Sequence, residues 1–163
     1  MAMQNEFPKL RALAAALLAG ACACQAAAPP ADLSGRQRVG KASYYGGKFV
    51  GRKMADGSRM DPHQDNAASK TLPLGTTAKV TNLATGQSTV VTIKDRGPYV
   101  KGRIVDLTPS TARKVGITPE NGVAPVAVTP IAVPLPDGRI KPGEAAGAAP
   151  PASPATLSRA SRP

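Results

Sequence analysis

The chain has 163 residues, a net charge of +11, 16 Gly and 17 Pro, but only 3 Tyr, 2 Phe and no Trp. That length allows one domain with appendages, and the turn-rich, aromatic-poor composition argues against a helical bundle. A single histidine, His63, rules out a His-based metal cluster, and two cysteines confined to the first 25 residues rule out a disulfide framework downstream.

Residues 1–25 read as an export signal: Lys9 and Arg11, then the apolar run Leu10 to Ala21, then small residues. The run is too short for a membrane span of about 20 residues. Leu17-Leu18-Ala19-Gly20-Ala21-Cys22 resembles a bacterial lipoprotein box with Cys22 as the lipidated residue, although Leu18 stands one place early. The alternative is an ordinary cut at Ala21-Cys22-Ala23, which would release a soluble product. Residues 26–37, rich in Ala, Pro and polar residues, read as a linker. The domain is expected over 38–134, and 135–163 as a disordered Pro/Ala-rich tail.

Within the domain, Val39 to Tyr45 reads as a strand broken by Gly46-Gly47, and Met54 to Ser69 as a long polar loop. Thr76 to Leu83 and Ser88 to Lys94 alternate around the turn Ala84-Thr85-Gly86-Gln87, which predicts a hairpin. Arg103 to Leu107 is another strand. Thr108 to Gly116 reads as a short helix with Thr108 as N-cap, Pro109 as first helical residue and Gly116 as the stop. Gly122 to Val133 closes the set. Short strands with one small helix fit a compact all-β barrel.

Most of the positive charge, +8, falls in 38–134, so an anionic partner such as nucleic acid, acidic lipid or cell wall is implied. Nucleic acid is not expected: there is no zinc-ligand spacing, and Tyr44, Tyr45, Phe49 and Tyr99 are the only aromatics after the leader. Asp95 lies in Lys94-Asp95-Arg96-Gly97-Pro98-Tyr99, where a strand gives way to a turn. It reads either as a poised acid or as a turn residue bonding its own backbone.

Several stretches together resemble the rare lipoprotein A (RlpA) family. They are Gly40-Lys41-Ala42-Ser43-Tyr44-Tyr45-Gly46, Phe49 to Gly57, Ala67 to Thr76, Val80-Thr81-Asn82-Leu83, Asp95-Arg96-Gly97-Pro98-Tyr99 and Gly102 to Leu107. The resemblance covers about residues 39–130. It implies a six-stranded double-psi β-barrel and an exported, often lipid-anchored protein of the periplasm or cell membrane. It also implies endolytic lytic transglycosylation of peptidoglycan glycan strands, without a cofactor. Asp95 occupies the family's catalytic Asp position, whereas Ser58 stands where the family has Glu and Ser69 where it has His. Tyr44, Tyr45, Ser58, Ser69, Arg96 and Tyr99 are the expected substrate-binding positions. Arg96 would meet a muramoyl carboxylate or simply pack, and the tyrosines would stack on sugars or fill the core. Asp106, between Val105 and Leu107, reads as a structural hydrogen-bonding residue. Asp56, Asp61 and Asp65 lie in the loop expected to face the groove, and one of them could assist. A monomer is expected. The competing functions are a non-catalytic, expansin-like glycan-binding module and a structural envelope protein.

Overall fold

The computed structural model describes residues 29–147. The expected leader, with Cys22, and residues 148–163 of the expected tail lie outside them. The strands are β1 (Arg38–Tyr44), β2 (Asn66–Ala68), β3 (Thr77–Asn82), β4 (Ser88–Asp95), β5 (Arg103–Leu107), β6 (Ala124–Pro134) and β7 (Ile140–Pro142), with one α-helix, α1 (Pro109–Lys114). A 3-10 turn spans Gly47–Phe49. Among the described residues no helix is long and apolar enough to cross a membrane.

The strands run in the order β1-β5-β2-β4-β3-β6, and β6 returns to pair with β1, which closes a six-stranded barrel. The β1–β5 and β2–β4 pairs are parallel, and the remaining barrel pairs are antiparallel. This mixed, closed arrangement is the expected double-psi β-barrel. Closure leaves no open sheet edge within the ring.

Alternation builds the interior. Ala78 and Val80 of β3, Val91 and Ile93 of β4, Val105 and Leu107 of β5, and Val126 and Val128 of β6 all point inward and are buried. Ala42, Ala67 and Ala124 interleave with these larger side chains, the small-and-large mix that a narrow barrel can hold. Val115 and Ile117, just past α1, add to the same core. Asn82 is buried but satisfied: its amide donates to the Val115 carbonyl at 2.7 Å and its oxygen accepts from Ala84 N–H at 2.9 Å.

The two hairpin strands, β5, the helix and the closing strand fall where alternation places them. Two expectations need correction, and one needs refinement. The 54–69 loop contains β2, whose three residues are all buried between β4 and β5 and are too few to show a period. Thr108 is the N-cap residue of α1, as expected, but its hydroxyl makes no cap bond; it donates to the Gln64 carbonyl at 2.6 Å and pairs with Thr111 Oγ1. Finally, residues 135–147 are ordered. β7 pairs with the end of β6, and Gly143 packs against the Pro130 carbonyl. Glu144 accepts from Gln37 N–H at 2.7 Å and donates its own N–H to the Gly35 carbonyl. Composition misjudged this stretch because its order comes from backbone pairing with an edge, which needs little apolar side chain.

Candidate active site

One row of residues crosses four neighbouring strands at the same level. Ser43 of β1 pairs with Asp106 of β5, Asp106 with Ala68 of β2, and Ala68 with Asp95 of β4. Ala68 does not join the interior core; it clusters with Tyr45, Met54 and Met60 on the other face. Simple alternation would send Asp95 inward behind Val91 and Ile93. The β2–β4 register instead skips Lys94, so that Ala67 faces Ile93 and Ala68 faces Asp95. Such an irregularity re-aims the next side chain, a common device beside functional sites.

Asp95 is held from three directions. Its Oδ1 accepts from the backbone N–H of Arg96 at 2.8 Å and of Ala55 at 3.0 Å, and its Oδ2 accepts from the Tyr45 hydroxyl at 3.1 Å. It sits in a cavity of about 190 Å³ lined by Tyr45, Phe49, Arg52, Lys53, Met54 and Met60. The Tyr45 and Phe49 rings meet with centroids 5.7 Å apart, and Lys48 lies 5.4 Å from the Phe49 centroid. An apolar, aromatic wall with two cations and one fixed carboxylate suits a sugar bearing anionic substituents.

Asp106 is half-buried beside it. Its carboxylate accepts from the Ser43 hydroxyl, and Ser43 also accepts from Arg103 Nη1 at 3.2 Å. Burial lifts the Asp106 carboxyl above the ordinary aspartate range; Ser43 and Arg103 oppose this, and the charge of Asp95 adds to it. Burial, followed by Asp95, likewise pushes the Tyr45 hydroxyl upward, so it remains a hydrogen-bond donor.

The other expected positions divide sharply. Tyr45 reaches the cavity and touches Asp95, whereas Tyr44 packs against the barrel core. Tyr99 is 77% exposed and does not line the Asp95 cavity. Ser58 stays in its own turn, donating to Asp56 Oδ1 at 2.7 Å. Ser69 is only 4% exposed, and its hydroxyl oxygen accepts from Leu72 N–H at 3.2 Å. Arg96 spends its guanidinium on the Ser69 and Leu72 carbonyls at 3.1 and 2.7 Å, which staples the 69–72 segment beside Asp95.

The loop carboxylates are also occupied. Asp65 forms a salt bridge with Lys114 at 2.7 Å, and Asp61 accepts from the backbone N–H of His63 at 2.9 Å. At Asp56 a small burial effect is outweighed by hydrogen bonds from Ser58 and by Lys94, which hold the carboxyl below its usual range. Among the described residues no group of acidic, His or Cys side chains could hold a metal. Sequence reasoning missed Phe49, Arg52, Lys53, Met54 and Met60 as cavity walls, and Asp106 as a partner of Asp95. For Asp106 a signal existed: with Val105 and Leu107 inward, alternation places Asp106 on the outer face.

A closed six-stranded mixed barrel, with Asp95 in a cavity on its outer face, defines a double-psi β-barrel. Residues 37–128 match the family described as lytic transglycolase, and the chain belongs to that family. It is 50% identical over 93 residues to the "Probable endolytic peptidoglycan transglycosylase RlpA" of a Synechocystis strain, covering 57% of this chain and 29% of that protein. It is 45% identical over 97 residues to the "Endolytic peptidoglycan transglycosylase RlpA" of Vibrio cholerae, covering 60% and 36%. The matched region thus spans about a third of these relatives. Among solved structures, the chain is similar to a Streptomyces papain inhibitor with a TM-score of 0.47 and 23% identity, covering 60% of this chain and 96% of that one.

Proposed function

We propose that the barrel is an endolytic lytic transglycosylase domain that cuts the bond from N-acetylmuramic acid to N-acetylglucosamine in peptidoglycan strands. The observation that carries this reading is the alignment of Asp95 and Asp106 across Ala68, with Asp95 facing an aromatic-walled cavity. Asp106 is half-buried with its carboxyl raised above the ordinary range, while Asp95 faces the cavity and is held by three hydrogen-bond donors.

In this mechanism Asp106 holds the proton and gives it to the glycosidic oxygen as the C1–O bond breaks. The bonding pair leaves with that oxygen. The muramoyl C6 hydroxyl attacks C1, and Asp95 takes the hydroxyl proton. A 1,6-anhydro end forms without water, and exchange with solvent returns the proton to Asp106. Tyr45 and the Ala55 and Arg96 N–H groups fix Asp95 for that transfer. Asp106 here replaces the like-charged neighbour that Ser58 does not provide.

The setting we infer is an exported monomer with Cys22 as a lipid anchor, its basic barrel against anionic wall. A second reading, a non-catalytic glycan-binding module, is favoured by the local engagement of Ser58 and Ser69. Mass spectrometry of peptide-free strands incubated with the protein separates the two. Anhydromuramoyl ends are expected. Reducing ends would mean hydrolysis, and intact strands that co-sediment with the protein would mean binding alone.

A further inference from the structure

A second cavity, of about 200 Å³, opens at the end of the barrel under the Ser69–Leu72 segment. Its floor is the barrel interior itself, Val105, Val128 and Leu72, all buried. Arg38, directly opposite Val128 in the β1–β6 register, shares the inward face, and Lys70 and Arg103 complete a cationic rim. Among the described residues no carboxylate lines the cavity itself, and one, Asp32, stands at its rim against Arg38.

Every polar side chain at this cavity can donate, although one Arg103 nitrogen, Nη1, is already given to Ser43. Thr71 Oγ1 already accepts from Arg38 Nη1 at 2.8 Å, and Ser69 Oγ already accepts from Leu72 N–H, so each hydroxyl keeps its hydrogen to give. Arg38 meets Asp32 at the rim at 3.4 Å; among the described residues neither Lys70 nor Arg103 is in a salt bridge. Donors above and aliphatic carbon below specify an anion with a short apolar body. The space holds several waters and so has room for a carboxylate, its α-carbon and a methyl group. A planar guanidinium fork also suits carboxylate geometry.

We propose that this barrel-end cavity is a binding site for a small carboxylate whose α-carbon bears a methyl group. Two cell-wall groups carry that chemistry, the lactyl arm of a muramoyl sugar and a C-terminal alanine of a stem peptide. The choice of these ligands rests on the cell-wall reading above, but binding does not require cleavage. The site also redirects an expectation: Arg96, stapled to two carbonyls, leaves carboxylate recognition to Arg38, Lys70 and Arg103.

The test is a chemical-shift titration of the ¹⁵N-labelled full chain carrying Asp95→Asn, which keeps catalysis out of the readout. The probes are N-acetylmuramic acid, D-alanyl-D-alanine, N-acetylglucosamine and inorganic phosphate. We expect shifts confined to Ser69–Leu72 and Arg103–Val105 with one of the two carboxylates and not with N-acetylglucosamine. Lys70→Gln should weaken that binding about tenfold, the scale of one charge-assisted hydrogen bond. Response to N-acetylmuramic acid names the lactyl arm, and response to the dipeptide names the stem terminus. Silence towards both, an equal response to phosphate or N-acetylglucosamine, or indifference to Lys70→Gln would overturn the proposal. Strand cleavage by the wild type alongside such silence would leave the proposed function standing without it.

Discussion

The candidate site has two walls of different construction. The strand wall is the row Ser43, Asp106, Ala68 and Asp95, of which Asp95 lines the cavity; it is locked into four paired strands, so the two carboxyls move only if the barrel moves. The loop wall, from Phe49 to Met60, is tied mainly by its own turns. Its bonds include Gly51 N–H to the Met60 carbonyl, Met60 N–H to the Arg52 carbonyl and the Lys53–Arg59 bridge. The barrel thus places the two carboxyls, while a loop supplies aromatic, sulfur and basic side chains. Substitutions in the strand wall should strike chemistry, and those in the loop wall should strike substrate affinity.

The largest effect is expected at the carboxyls. Asp95→Asn and Asp106→Asn should each lower strand cleavage by ~10²- to 10⁴-fold, the worth of a positioned acid or base. Neither should lower the melting temperature, because asparagine can still accept from Ser43 or from the N–H groups around residue 95. Turnover and thermal melts of the same preparations check this, and a variant that unfolds would place the residue in the scaffold instead.

Arg96→Lys comes next. The guanidinium holds two carbonyls at once, a fork that an ammonium cannot copy. Stability should fall by about 1–3 kcal/mol, read by denaturant titration, and cleavage should fall with it as the 69–72 segment loosens.

Tyr45→Phe removes one bond to Asp95 but keeps the ring against Phe49. A cost of about 0.5–1.5 kcal/mol in transition-state stabilisation should appear in kcat more than in KM. Phe49→Ala, in the loop wall, should do the reverse and raise KM several-fold with kcat nearly intact. If Phe49→Ala lowered kcat as strongly as Asp95→Asn does, the division between the two walls would collapse.

Much of the strand wall was legible in the sequence. Alternation located β3, β4, β5 and β6 and set Asp95 at a strand end, and the motif resemblance gave the barrel. Two of its features were hidden. β2 is too short to alternate, and the skipped residue Lys94, which turns Asp95 to the outer face, is a matter of pairing register that no single strand records. The loop wall was almost invisible, because Met54, Met60 and Phe49 have no common period and meet only through turns. Arg96 illustrates a third limit. Its place beside Asp95 was plain, yet its guanidinium points to carbonyls of a segment 24–27 residues earlier, a contact that local sequence does not encode.

The assignment of acid to Asp106 and base to Asp95 is tested most directly by the pH dependence of anhydromuramoyl product formation in the wild type and in Asp106→Asn. Because burial first, and then Asp95, raises the Asp106 carboxyl, it stays protonated to a higher pH than an ordinary aspartate. Wild-type activity should therefore persist above the usual carboxylate range and decline as pH rises through the raised value. The variant should show only residual activity, without that decline. An Asp106→Asn protein that cleaves at the wild-type rate, with the same loss at high pH, would contradict the account and return the acid role to Asp95 alone.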